Sequence, residues 1–154
     1  MWRAFLRYRK RLNNDALLLT IESNKQESFM REIIKTPQAP DPIGPYSQAI
    51  RAHGLIFVSG QIPIDPVTGS VSGGDIAAQT RQVMANLSAI LVAGASGLDK
   101  ILKTTVFLSN LDDFQKFNEA YAEFLGIAKP ARATVEVSRL PKGVLIQIDA
   151  IALA

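Results

Sequence analysis

The sequence predicts one α+β domain, a mixed β-sheet with two helices on one of its faces. Three observations carry this. Extended and helical stretches follow one another as β-β-β-α-β-α-β-β. Two of the connections run strand to helix to strand, which predicts parallel pairing within a mixed sheet. In the last stretch, Val144, Ile146, Ile148 and Ala150 alternate with Leu145, Gln147, Asp149 and Ile151, the period of a strand central in its sheet. Two helices can cover only one face of such a sheet, so the other face predicts self-association.

Each element has a local reason. Arg31 to Lys35 is a short strand candidate. Pro37, Pro40, Pro42 and Pro45 then fix φ and remove donors, which makes the next stretch an extended loop and not a helix. It ends in Gly44-Pro45-Tyr46-Ser47, where the stiff backbone either closes Tyr46 over a pocket or anchors the loop through its amphipathic ring. Two strands flank a turn at Gly54. The second, Leu55 to Val58, ends at Ser59-Gly60-Gln61, small residues that let a ligand approach the backbone. His53, the only histidine, falls in that turn and reads as a surface residue. Pro66 and Gly69 mark a further turn.

Asp75 is an N-cap for a helix whose apolar face holds Ile76, Val83, Leu87, Ile90 and Leu91, with Gln79, Arg81 and Gln82 off that face. Glycines 94 and 97 end it. Lys103 to Leu108 is the next strand, and Asp112-Asp113 opens a helix with Phe114, Phe117, Tyr121, Phe124 and Leu125 as apolar positions. Gly126 and Pro130 close it. Pro130 to Val137 is a strand, and a turn at Gly143 leads into the final one.

Composition narrows the function. There are 154 residues and no cysteine, which excludes disulfides, thiolate catalysis and Cys-ligated metal, and fits a reducing compartment. No apolar run reaches the roughly 18 residues that cross a bilayer. The formal charge of +3 resides wholly in residues 1–29, where Arg3, Arg7, Arg9, Lys10, Arg11 and Lys25 face Asp15, Glu22 and Glu27. Residues 30–154 are neutral overall, against a broad nucleic-acid footprint. The domain is therefore expected over 30–154. Residues 1–29 read as a disordered tail from an upstream start at Met1 rather than Met30, a transit peptide, or a basic arm. The cytoplasm is the expected location, or the mitochondrion if the extension is a transit peptide.

Arg132 lies at the start of its strand between Ala131 and Ala133, which leave room around a guanidinium. That group grips a carboxylate with two parallel hydrogen bonds, although a surface pair with Glu136 fits the local sequence equally. Ser59 offers a hydroxyl and Gly60 an unshielded N–H.

Five segments, A-P-D-P-I-G-P-Y-S-Q-A (39–49), F-V-S-G-Q-I-P (57–63), T-T-V-F-L (104–108), P-A-R-A-T-V-E-V-S-R-L-P (130–141) and I-Q-I-D-A-I-A (146–152), together resemble the RidA (YjgF/YER057c/UK114) family of imine/enamine deaminases. The resemblance implies a chorismate-mutase-like fold and a homotrimer, with a barrel of sheets inside, helices outside and clefts between subunits. It implies hydrolysis of 2-aminoacrylate and 2-iminobutanoate to 2-oxoacids and ammonia, with no metal or cofactor. Residue by residue, Arg132 matches the carboxylate-binding arginine, and Tyr46, Ser59, Gly60, Asn118 and Thr134 match positions lining the cleft. The Thr134 position is cysteine in many members. Gln147 stands where many active members have the glutamate thought to orient or activate water, so a weak or altered deaminase is expected. Asp149 matches the family's second acid. The alternatives are a non-catalytic 2-oxoacid sensor, an endoribonuclease or translation inhibitor relying on the basic arm, and a chaperone-like trimer.

Overall fold

The computed structural model describes residues 31–154, so the three readings of residues 1–29 lie outside the described residues. The strands are β1 (Glu32–Ile34), β2 (Ala49–Ala52), β3 (Leu55–Gln61), β4 (Ile101–Leu108), β5 (Ala131–Glu136) and β6 (Ile146–Leu153). The helices are α1 (Ile76–Ala93) and α2 (Phe114–Leu125). They form one six-stranded mixed sheet in the order β1-β2-β3-β6-β4-β5.

β6 is central, as its alternation requires, and the residues it buries are Ile146, Ile148, Ala150 and Ala152. Its position corrects one expectation. Only the α2 crossover joins neighbouring parallel strands, β4 and β5. The α1 crossover joins β3 and β4, and β6 lies between them, antiparallel to both. An apolar strand able to pair on both edges gains more there than at the sheet's rim.

α1 begins as the sequence predicts, with the Asp75 carboxylate accepting from the Ala78 N–H at 3.0 Å. Its face of Val83, Leu87, Ile90 and Leu91 is buried against the sheet with Ile56, Val58 and Ile148. Gln79 corrects the periodicity reading: it is buried, because its Oε1 accepts from the Leu145 N–H at 2.8 Å where the chain enters β6. Asn86 is buried for a similar reason, and its amide donates to the carbonyls of Ile62 and Ile64. A buried amide is tolerated where it satisfies backbone groups that would otherwise be orphaned.

A second correction concerns β3, which does not stop at Val58. It continues to Gln61 through a bulge, the ladder passing from Val58↔Ala150 to Gln61↔Ile148 so that Ser59 and Gly60 together oppose Asp149. Before α2, the Asn110 side chain accepts from the Asp112 N–H and caps a 3₁₀ turn, so the helix proper starts at Phe114.

The helices lie on the face of Ile148 and Val106. The opposite face carries Ile33, Phe57, Val135 and Leu153, each more than 40% exposed. Register places these in line across strands: Phe57 is opposite Ile151, and Val135 is beside Phe107.

Candidate active site

The candidate site residues other than Thr134, which lines neither, fall into two separate clefts. Asn118 and Arg132 line one of about 480 Å³, together with Tyr121, Leu125 and Pro130. Tyr46, Ser59, Gly60 and Gln147 line another of about 360 Å³, with Ile43, Ile62 and Pro141. The sheet keeps them apart. Arg132 is level with buried Thr104 on the helix-covered face. Gln147 is level with Phe107 on the bare face. Within one chain they cannot reach the same small molecule.

The Arg132 cleft comes from the β4-α2-β5 crossover. Phe114, Phe117 and Tyr121 recur at helical spacing, and the guanidinium carbon lies 5.7, 5.2 and 5.2 Å from their ring centroids. These are cation–π distances. The surface pair with Glu136 does not form: Glu136 accepts from the Leu111 N–H at 2.9 Å, and among the described residues Arg132 makes no ion pair. The Tyr121 hydroxyl is 2.8 Å from the Thr104 hydroxyl in a buried contact. Burial pushes the Tyr121 phenol above its ordinary pKa, against smaller opposing effects from the Thr104 bond and the Arg132 charge, so it stays protonated at neutral pH. Thr134, two residues along β5 on the same face, has a buried hydroxyl with no hydrogen-bond partner.

The second cleft is built on the β3 bulge. Bulges aim side chains and release backbone groups from the ladder. Ser59 uses its hydroxyl proton on the Ser47 carbonyl at 2.7 Å, leaving its lone pairs as what it can offer a ligand. Gln61 supports the bulge from beneath, donating to the Ser59 carbonyl at 3.0 Å. Gly60 leaves room for the Gln147 amide, since a Cβ there would lie 2.5 Å from Gln147 Nε2. Tyr46 is 47% exposed, and its hydroxyl accepts from the Ile43 N–H at 3.4 Å, so it folds over its own loop and not onto the core.

The loop's anchor is Gln48, which no local pattern in the sequence marks. It is buried, accepts from the Thr36 N–H at 2.7 Å and donates to the carbonyls of Thr36, Ala39 and Pro40. The periodicity of α2 marks Tyr121 only as an apolar helix position. Its spacing with Phe114 and Phe117, one helix before an arginine, was the available signal. His53 is exposed in the β2–β3 turn, as expected.

The Endoribonuclease L-PSP family pattern matches residues 36–154. A RutC family protein of Pyrococcus horikoshii is 58% identical over 123 residues, covering 80% of this chain and 98% of that protein. Among solved structures, RidA from an Antarctic Psychrobacter is 37% identical with a TM-score of 0.77, covering 80% of this chain and 99% of that one. TdcF of E. coli, solved with bound serine, is 41% identical with a TM-score of 0.77, covering 80% and 98%.

Proposed function

We infer that this chain, which belongs to the Endoribonuclease L-PSP family of RutC and Rid proteins, hydrolyses small 2-imino acids to 2-oxoacids and ammonia. The observation that carries this is Arg132, a cation in a cleft, held against aromatic rings and not bonded to an acid. Such a group suits a small carboxylate. That TdcF was solved with bound serine, a small molecule that bears a carboxylate, supports the reading.

In the proposed reaction an enamine such as 2-aminoacrylate first tautomerises to its imine. Arg132 holds the carboxylate and fixes the imine carbon in place. Water adds to that carbon and gives one proton to the nitrogen, forming a carbinolamine. The proton of its new hydroxyl then passes to the nitrogen as the C=O bond forms and the C–N bond breaks, releasing ammonia. Gln147 cannot take a proton, but its Oε1 can accept a hydrogen bond and hold the water. Asn118 lines the Arg132 side; Tyr46, Ser59 and Gly60 line the water side.

The two clefts lie on opposite faces of the sheet, so in this proposal a complete site needs Arg132 from one copy and Gln147 from another. A homotrimer closed on the bare sheet face would supply it. Turnover of 2-aminoacrylate generated by a coupled dehydratase tests the reading. Arg132→Ala is expected to abolish ammonia release above background, and unchanged turnover would remove the carboxylate clamp.

A second reading, a 2-oxoacid-binding protein without turnover, has one observation in its favour: among the described residues no carboxylate lines the Gln147 cleft. The same assay separates the two. Ribonuclease activity has less support, since residues 30–154 are neutral overall and the one histidine sits in a turn.

A further inference from the structure

We propose that Phe114, Phe117 and Tyr121 form a neutral cradle that positions the Arg132 guanidinium for its ligand without neutralising its charge. The inference rests on the reading of Arg132 as a carboxylate clamp and names what holds it in place.

Three elements converge to build the cradle. α2 presents the rings at positions i, i+3 and i+7, one stripe of a helix. Adjacent centroids are 6.2 Å (Phe114–Phe117) and 5.3 Å (Phe117–Tyr121) apart, with tilted planes. β4 pins the last ring through the Thr104–Tyr121 hydroxyl contact. Thr104 is also the register neighbour of Arg132, so one residue of β4 sets both the ring and the strand that carries the cation.

The choice of rings over a carboxylate has a chemical consequence. An aspartate would hold the guanidinium as firmly, but it would occupy the fork and cancel the charge. An aromatic face attracts the cation through its quadrupole and leaves the N–H donors available. A long side chain is thereby ordered before binding, so less conformational freedom is lost when the ligand arrives. Phe114, Phe117 and Tyr121 are therefore positioning residues, and Arg132 is the group that touches the ligand.

The test uses the full chain and two variants. Phe114 lies at the rim, 39% exposed, so Phe114→Leu removes a ring without opening the core. Tyr121→Phe keeps the ring and removes only the hydroxyl. Two readouts are taken: the side-chain NMR shifts of Arg132, which ring currents displace, and the affinity for 2-oxobutyrate by calorimetry. Phe114→Leu is expected to move the Arg132 signals toward random-coil values and weaken binding about 3- to 10-fold. Tyr121→Phe releases that ring from Thr104, and is expected to move the Arg132 signals and the affinity in the same direction as Phe114→Leu by a smaller amount. Wild-type shifts and affinity in Phe114→Leu would overturn the cradle, as would wild-type Arg132 signals already at random-coil values. If the wild type does not bind 2-oxobutyrate, the clamp reading fails, and the ring-current signature alone decides whether the rings hold Arg132.

Discussion

Gln147 and Gly60 act as a unit. The Gln147 amide lies across the Gly60 Cα, in the space a Cβ would need. Since the clashing atoms are at the end of a flexible side chain, Gly60→Ala is expected to fold normally and to displace the amide. Under the proposed mechanism this lowers turnover with little change in thermal midpoint; a Gly60→Ala protein with full activity would show that the amide's position is unimportant. Gln147→Glu puts a proton acceptor at the same place. General-base catalysis typically contributes about 10²–10⁴-fold, so the rate on 2-aminoacrylate is expected to rise toward that range. A fall would mean that the amide suits this protein's own ligand. Asp149 shares the face, but its neighbour two residues away is about 6.5–7 Å distant along the strand, and it is a shorter side chain, so it does not replace the missing acid.

A single buried side chain holds the loop between β1 and β2, and a surface ion pair links the two helices. Gln48 satisfies four backbone groups of the proline-rich loop. Gln48→Ala leaves these groups without their partner and is expected to cost about 2–4 kcal/mol, measurable by urea unfolding. It should also loosen the loop that carries Tyr46. Between α1 and α2, Arg81 donates to both oxygens of Glu123 at 2.8 and 2.7 Å. That hydrogen bond, reinforced by charge attraction, holds the Glu123 carboxyl below its ordinary pKa and raises Arg81. A depressed carboxylate stabilises the fold above its unfolded pKa, and the contribution is lost as pH falls through the folded value. Glu123→Gln is therefore expected to flatten the fall in thermal midpoint between pH 5 and pH 3. The effect is small because both side chains are half-exposed, and an identical pH profile would show the pair to be silent.

The molecule as a whole has one covered and one bare sheet face. Ile33, Phe57, Val135 and Leu153 form an apolar surface of the kind that marks an interface. The proposed homotrimer predicts a solution mass three times that of the chain by light scattering. Phe57→Asp places a charge at the centre of that surface and is expected to give monomers. It should also abolish turnover while leaving Arg132 in its cradle, because in the proposed site Arg132 and Gln147 come from two copies. A monomeric variant with full activity would refute the shared site.

Much of this was legible in the chain because it is local. Strand and helix periodicities involve residues two to four positions apart, and they give the eight elements, the N-cap at Asp75 and the exit at Gly94. Arg132 between alanines and Gln147 on an alternating strand are visible in the same way. Tertiary structure decided what depends on distant partners. β6 enters between β3 and β4 only once both are present. Gln79 is buried for the sake of an N–H 66 residues away, and Gln48 for groups 8 to 12 residues back. Above all, strand register sends Arg132 and Gln147 to opposite faces. Which face a side chain joins depends on where its strand pairs, and no stretch of sequence read alone contains that information.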